Sequence, residues 1–193
     1  MQSWILYCFA NSHNFINFGS NSFSKSANLF LSYRGFSAEI LIETGAGDLS
    51  GYSDEQYKSA GAKVANRSDC LKSDICLCVR MPNQDDINHM KNGSILIGIL
   101  NPYENKKYFD NLKSNKITSC CMELIPRISR AQSMDVLSSQ ANLAGYRSVI
   151  DAAEKFGKAF PMMMTAAGRI NPARVMILGV GVAGLKLLLQ QKD

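Results

Sequence analysis

Long apolar runs are missing from this sequence of 193 residues, since no stretch approaches the roughly 18 apolar residues of a membrane-spanning helix. Clustered charge is missing as well. The 21 Lys and Arg residues exceed the 16 Asp and Glu residues and give a formal net charge of +5, but the basic residues are scattered along the chain. Because nucleic-acid phosphates are bound by clustered basic patches, we predict neither a transmembrane segment nor a nucleic-acid partner.

Patterns for secretion, disulfide pairing and metal binding are also missing. The apolar start MQSWILYCF has no basic residues before it and no small-residue cleavage site, so a secretory signal is not predicted. Six cysteines are present, but none forms a C-x-x-C pair or a Cys/His set at zinc spacing. Four of them lie in or beside apolar runs: Cys76, Cys78, Cys120 and Cys121. We therefore predict reduced, mostly buried thiols in a cytoplasmic protein, and no metal site.

Up to Pro126, short apolar segments alternate with helical segments. Strands are predicted at residues 37–43, 63–65, 74–82, 94–102 and 117–126. Helices are predicted at residues 24–36, 54–62, 67–71, 83–93 and 104–116. Ser53 is the predicted N-cap of the second helix, and Gly35 and Gly93 are predicted to end the first and the fourth. Apolar strands this short, separated by helices, indicate an α/β fold whose parallel sheet is covered on both faces.

After Pro126 the pattern changes to one long helix, from about Gln132 to Phe156, with no proline and one internal glycine. Its only charged side chain between Ser133 and Tyr146 is that of Asp135. We expect a helix with so little charge to be mostly buried and to bridge two domains. The predicted segments are a divergent N-terminus at 1–23, an α/β domain at 24–125, the connecting helix at 126–160 and the start of an incomplete Rossmann-type domain at 161–193.

The second domain opens with RVMILGVGVAGLK, in which Gly179, Gly181 and Gly184 have the G-x-G-x-x-G spacing between an apolar strand and an apolar helix. Gly179 permits a tight turn, Gly181 a close approach to a pyrophosphate, and Gly184 close packing of the helix on its strand. The pattern predicts dinucleotide binding by Gly179, Val180, Gly181, Val182, Ala183 and Gly184. The alternative is a glycine-rich turn that binds nothing.

The expected acidic residue for the ribose would come about 20 residues after the loop, beyond Asp193. Without further strands, residues 175–178 and 185–189 are expected to be exposed.

A second group of polar residues lies in PRISRAQSMDVLSSQ, where Arg127 and Arg130 precede Gln132, Asp135 and Ser138. The last three are spaced by three residues, which would place them on one stripe of the predicted helix. Asp135 in an uncharged helix needs a partner, and Arg127 or Arg130 is the expected one. Two interpretations follow: an ion pair that fixes the start of the helix, or a polar pocket for an amide-bearing ligand. In the pocket, Arg and Gln would contact the amide while Asp orients the Arg.

The motifs RISRAQSMD, GVGVAG, ETGAG and SILIGILNPYENK together resemble the alpha subunit of proton-translocating NAD(P) transhydrogenases, from about Ser24 to Leu185. The resemblance implies a doubly wound, two-domain NAD(H)-binding component that dimerises. This component would be peripheral at the inner membrane, on its cytoplasmic side, through membrane subunits and a subunit that presents NADP(H). Hydride would pass directly between the two nicotinamides, coupled to proton movement. No general base is then needed, which agrees with the absence of histidine near these motifs.

The same resemblance implies roles for individual residues. The side chains that would line the nicotinamide are those of Arg127, Gln132, Asp135 and Ser138. The glycines of the loop would contact the pyrophosphate. Family members also open with a strand that residues 1–23 do not contain, so we expect this strand to be missing or to be replaced by WILYCF.

Two alternatives remain open from the sequence. Alanine dehydrogenase has a similar layout, but Cys78 stands where its substrate-binding lysine is expected, and His89 lies in a helix rather than in the following strand. The other alternative is a chain without activity of its own, either the remnant of a broken reading frame or one segment of a split subunit.

Overall fold

The computed structural model describes residues 4–9 and 38–190. The strands are β1 (Trp4–Phe9), β2 (Ala38–Glu43), β3 (Lys63–Ala65), β4 (Ile75–Arg80), β5 (Ile95–Ile99), β6 (Thr118–Cys121), β7 (Met163–Thr165) and β8 (Gly168–Ile170). The α-helices are α1 (Asp54–Ser59), α2 (Arg67–Cys70), α3 (Gln84–His89), α4 (Lys106–Ser114), α5 (Val136–Phe156) and α6 (Val182–Gln190). The chain divides into two compact units, Met1–Met134 and Asp135–Asp193. The helix predicted at 24–36 lies outside the described residues.

The first unit contains a six-stranded sheet in the order β3-β2-β1-β4-β5-β6, in which all neighbouring strands are parallel. This confirms the predicted α/β fold. The strand order reverses between β1 and β4, as in doubly wound folds. Leu6 of β1 pairs with Ile40 of β2 and with Ile75 of β4, so WILYCF forms a central strand of the sheet.

Both faces of this sheet are covered. Ile75 and Leu77 of β4 pack with Ile40 in one apolar cluster, to which Tyr57 of α1 also contributes. The residue between them, Cys76, belongs to a second cluster, because successive side chains of a strand point to opposite faces. The second cluster also contains four buried aliphatic side chains: Ile87 of α3, Leu96 of β5, Leu100 directly after β5, and Leu112 of α4. The apolar strands are therefore packed on both faces, although Ile75 and Leu77 of β4 are half-buried, unlike the buried Cys76 and Leu96 on the opposite face.

The cap predicted for the second helix is present. Ser53 precedes α1, its Oγ accepts a hydrogen bond from Gln56 N at 3.4 Å, and its own N–H donates to Gln56 Oε1 at 2.8 Å. Such reciprocal bonds satisfy backbone donors that a helix start leaves unpaired.

Two predicted element ends in the first unit are wrong by four residues or more. Helix α3 ends at His89, because Met90 is extended and turns its buried side chain into the core, while Gly93 forms a turn at φ +80°. Strand β6 ends at Cys121, and Met122–Leu124 form a 3-10 helix. Cys121 lies opposite Gly98, and the partner strand β5 ends one residue later at Ile99, before Asn101 with its positive φ of +47°, so residues 123–126 have no β5 residue to pair with.

The second unit consists of α5, the antiparallel hairpin β7–β8 and α6. The long helix begins at Val136 rather than at Gln132, and the prediction that it is mostly buried is wrong, since only Gly145 of α5 is buried. Its early turns lack charge because they carry uncharged polar side chains, Ser138, Ser139, Gln140 and Asn142, and not because they are apolar.

The strand predicted at residues 175–178 does not form, and residues 171–180 have no regular secondary structure. A strand needs a neighbour for its hydrogen bonds, and no strand of the described second unit pairs with this segment. The predicted exposure is confirmed for most of these residues: the exposed fractions are 84% for Met176, 90% for Leu178 and 52% for Leu185, whereas Ile177 and Leu187 are half-buried. Over residues 4–9 and 38–190, no helix combines the length and apolarity needed to cross a membrane.

Candidate functional site

The segment RISRAQSMD folds as a 3-10 helix, Ser129–Met134, followed by Asp135 as the N-cap of α5. The carboxylate of Asp135 accepts hydrogen bonds from Ser138 N at 2.9 Å and from Ser138 Oγ at 2.7 Å. The carbonyl oxygen of Asp135 accepts a further bond from Ser139 Oγ at 3.0 Å. The prediction that Gln132, Asp135 and Ser138 share one helical stripe is therefore wrong, because the first two precede the helix.

The capping geometry gives Asp135 a defined electrostatic role. A carboxylate at a helix N-terminus pairs with unbonded N–H groups and with the positive end of the helix dipole. Because Ser138 contributes both its N–H and its hydroxyl, the Asp135 carboxylate is held at the first turn of α5.

Arg127 and Gln132 lie in the first compact unit, whereas Asp135 and Ser138 lie in the second. Both Arg127 and Gln132 are exposed. The backbone between them is fixed by two turns, since Ile128 N donates to Pro126 O and Ala131 N donates to Ile128 O, each at 2.9 Å. Ala131 is buried, with 6% exposed. The polar side chains of this segment thus extend from a backbone that is anchored at Ala131.

The glycine loop has the local geometry that its spacing predicts at each end. Gly179 has φ +111°, a conformation that L side chains rarely adopt. A Cβ at Gly184 would lie only 2.0 Å from the carbonyl oxygen of Gly179, so the helix start packs directly on the loop backbone. Helix α6 begins at Val182, so the second half of the glycine motif forms the first turn of the predicted helix.

Between these two contacts the loop is open. A Cβ at Gly181 would meet nothing within 4 Å. The first bond of α6 runs from Leu185 N to Gly181 O at 2.9 Å, so the amides of Val182, Ala183 and Gly184 precede the helical ladder. Unpaired amides at a helix start, beside open space, form a ready site for an anion such as a phosphate.

An ion-pair network in the first unit was not visible from the sequence. Arg67 Nε donates to Asp86 Oδ1 at 2.8 Å and Arg67 Nη2 to Asp86 Oδ2 at 2.7 Å, while Nη1 lies 3.2 Å from both carboxylate oxygens of Glu43. Partial burial lowers the pKa of Arg67, but hydrogen bonds and charges of Asp86 and Glu43 outweigh it and raise that pKa. The network joins the end of β2 to the starts of α2 and α3. Asp86 and Glu43 lie 19 and 24 residues from Arg67 in the sequence, so no local sequence pattern connects the three.

Burial disfavours the thiolate form of two of the described cysteines. Cys70 and Cys76 are fully buried, and burial raises the pKa of each thiol to about 12. Cys120 is exposed, which departs from the predicted burial. Across the portion of the chain that the structure describes, no three His, Cys, Asp or Glu side chains converge as a metal site.

Comparisons with known proteins agree on one family. The protein-family model described as "Alanine dehydrogenase/PNT, N-terminal domain" matches residues 31–144. The family model of the corresponding C-terminal domain matches residues 148–188. The chain is 45% identical over 165 residues to the first of the parts that make up NAD(P) transhydrogenase subunit alpha in Rhodospirillum rubrum, covering 82% of this chain and 43% of that protein.

A solved structure of transhydrogenase from Sinorhizobium meliloti matches 97% of this chain and 53% of that chain, with 40% identity and a TM-score of 0.87. Alanine dehydrogenase of Mycolicibacterium smegmatis is 27% identical over 151 residues, covering 76% of this chain and 40% of that protein. The similarity to transhydrogenase subunits is thus the stronger. The chain spans less than half the length of the curated relatives it matches.

Proposed function

The chain belongs to the alanine dehydrogenase/PNT family, and on that premise we propose that it is an NAD(H)-binding component of a proton-translocating NAD(P) transhydrogenase. Its task would be to position NADH for direct hydride transfer to NADP⁺ on a partner subunit. The observation that carries the proposal is the open glycine loop at the start of α6, in a chain 45% identical to a transhydrogenase alpha subunit.

The residues of the loop fit a dinucleotide. The space at Gly181 leaves room for a pyrophosphate against the backbone, and the amides of Val182, Ala183 and Gly184 supply donors and the positive end of the helix dipole. A side chain at Gly184 would force the helix off the loop. We therefore assign Gly179, Val180, Gly181, Val182, Ala183 and Gly184 to the pyrophosphate.

We assign Arg127, Gln132, Asp135 and Ser138 to the nicotinamide end. Arg127 and Gln132 carry N–H donors that suit the carbonyl of a carboxamide, and Gln132 also carries an acceptor for its NH₂ group. Asp135 is an acceptor whose position Ser138 fixes. The bound cofactor would supply the hydride. These residues would hold and orient the nicotinamide ring of the cofactor.

The proposal extends to an assembly. The relatives named subunit alpha imply other subunits, and we propose that this chain pairs with a second copy. We further propose that it docks on membrane subunits and an NADP(H)-binding subunit, so that it is peripheral to the inner membrane on the cytoplasmic side. Proton movement would then take place in those partners.

The direct test is a titration of NADH fluorescence against the purified chain, with a full-length homologue measured alongside. We expect a saturable change. No saturation up to millimolar NADH, while the homologue binds, would overturn NAD(H) binding by this chain.

A pair of variants tests the location of the site. Gly181→Val adds a side chain where the folded protein has open space, so it should fold normally while it blocks the pyrophosphate. The matched control is Ala152→Val, on an exposed position of α5. We expect NADH affinity to fall by at least about tenfold in the first variant, since a side chain there replaces the close backbone approach, and to stay unchanged in the second.

A further inference from the structure

Gly145 is the buried residue of helix α5 and lies against the start of helix α6. A Cβ at Gly145 would lie 2.4 Å from the carbonyl oxygen of Ala183 and 3.1 Å from its C and Cα atoms. All three atoms belong to the backbone, so they cannot yield as a flexible side chain does. Glycine inside a helix costs about 1 kcal/mol relative to alanine, and this contact accounts for its presence.

This contact is one of two close approaches between backbone segments at the start of α6. Ala183 belongs to the first turn of α6 and precedes Gly184, whose own missing Cβ allows the approach to Gly179 O. Gly145 of α5, the peptide between Ala183 and Gly184, and Gly179 of the loop are thus stacked without an intervening side chain.

The peptide between Ala183 and Gly184 connects this packing to the anion site. A peptide unit is planar and trans, so its C=O and N–H point in opposite directions. The carbonyl oxygen of Ala183 rests on Gly145, and the other end of the same plane is the N–H of Gly184, one of the first-turn amides that helical bonds leave unpaired. Holding the carbonyl therefore fixes the direction of an amide that faces the loop.

We propose that Gly145 is a positioning residue for the dinucleotide loop, because it lets α5 hold the Ala183–Gly184 peptide in the orientation that presents the Gly184 N–H to a pyrophosphate. This inference rests on the proposed NAD(H) binding. Gly145→Ala would require α5 and α6 to separate by about 1 Å to restore ordinary contact, from 2.4 Å to at least 3.4 Å. The amides of the first turn would move with α6.

The test compares Gly145→Ala in the full chain with Ala152→Ser, which adds one heavy atom to the same helix at an exposed position. Dissociation constants are measured for NADH and for ADP-ribose, which carries the pyrophosphate without the nicotinamide. All measurements are made well below the unfolding transition, and far-UV circular dichroism gives the folded fraction. We expect Gly145→Ala to weaken both ligands by roughly ten- to hundredfold per folded molecule, as for a misplacement of about 1 Å, and Ala152→Ser to weaken neither.

The outcomes separate the two proposals. If the wild-type chain binds neither ligand, NAD(H) binding by this chain is wrong and the role of Gly145 falls with it. If the wild type binds and folded Gly145→Ala binds equally well, only the role of Gly145 is wrong. If Gly145→Ala is partly unfolded, the titration is repeated with trimethylamine N-oxide, which favours the compact state. Recovery of wild-type affinity would then reduce Gly145 to a stability role and overturn the inference, whereas a persistent loss would support it.

Discussion

Two apolar segments of similar sequence behave differently in the two compact units. Residues 95–99, ILIGI, form strand β5 between two parallel neighbours, and Leu96 in it has 1% of its surface exposed. Residues 175–178, VMIL, have no regular structure, and Leu178 has 90% of its surface exposed. Both segments are apolar enough to be a buried strand.

The difference is in the neighbours. A strand gains its backbone hydrogen bonds and its burial from adjacent strands, and the apolar pattern only makes these gains available. Strand β1 shows the same dependence: residues 4–9 form a central strand with β2 and β4 on its two sides. Context therefore decides between strand and irregular chain for such segments.

The largest expected effect contrasts one leucine from each segment. Leu96→Ala should lower the free energy of unfolding by about 2–5 kcal/mol, because it leaves a cavity in the core. Leu178→Ala should change it by less than about 0.5 kcal/mol, because its side chain is already in water. Urea denaturation followed by circular dichroism measures both. A loss for Leu178→Ala as large as that for Leu96→Ala would mean that residues 175–178 are buried, and would remove the contrast.

Removing Arg67 should have the next largest effect. Arg67→Met removes both guanidinium bonds from Asp86, whose side chain is 7% exposed, and leaves its carboxylate with the longer 3.3 Å bond from Asn83 N. Because Arg67 itself is 36% exposed, we expect a loss of about 1–3 kcal/mol, below the value for a fully buried pair. The matched control is Lys63→Met, which breaks the ion pair with Glu39 at a position where the Lys63 side chain is 71% exposed, and should cost less than about 1 kcal/mol. Equal losses in urea denaturation would contradict a special role for the Arg67 network.

Much of the fold of the first unit could be predicted from the sequence, because its signals are local. Local signals of this kind are the apolar runs of strand length, the Ser53 cap and the helix that begins within the glycine motif. Each depends on neighbouring residues only. The errors have non-local causes. Helix α3 stops at His89 because Met90 is drawn into the core, and the strand predicted at 117–126 is cut short because β5 ends at Ile99. Neither cause can be read from the residues of the segment that it affects.

The candidate site could be predicted as a set of residues but not as an arrangement. The spacing of Gln132, Asp135 and Ser138 indicated one stripe, whereas Asp135 is a cap and Ser138 is its donor. An aspartate followed three residues later by serine in a helix fits capping as well as a stripe, and the helix start decides between them. Gly145 was visible as an internal glycine, but its contact with Ala183 joins residues far apart in the chain.

Asp135 provides a smaller effect on stability with a distinct functional signature. Asp135→Ala should lower the free energy of unfolding by about 1 kcal/mol, whereas Asp135→Asn should change it by only a few tenths, because asparagine is also a good N-cap. In the assembly proposed above, Asp135→Asn should slow hydride transfer more than it weakens NADH binding. Single-turnover rates and NADH titration measure the two effects. Unchanged turnover would leave Asp135 with its capping role alone.

The last prediction concerns the pH dependence of stability. The effect is absent at neutral pH, appears at alkaline pH, and is confined to the first unit. All six cysteines precede residue 135, so the second unit has none. Burial raises the pKa of Cys70 and Cys76 to about 12 from an ordinary value of 9.0. A raised folded-state pKa means that the unfolded chain loses protons first, so the contribution of these thiols to stability is constant below pH 9 and falls between pH 9 and about 12.

We therefore expect urea denaturation to give a free energy of unfolding for the first unit that declines over this range. A Cys70→Ala/Cys76→Ala variant should decline less steeply, because its unfolded state has two fewer thiols to ionise. All other ionisable groups are the same in the wild type and the variant, so the difference between the two slopes isolates the thiols. Equal slopes would mean that the two thiols ionise as readily in the folded chain as in the unfolded one. That result would contradict their burial in the core beneath α3.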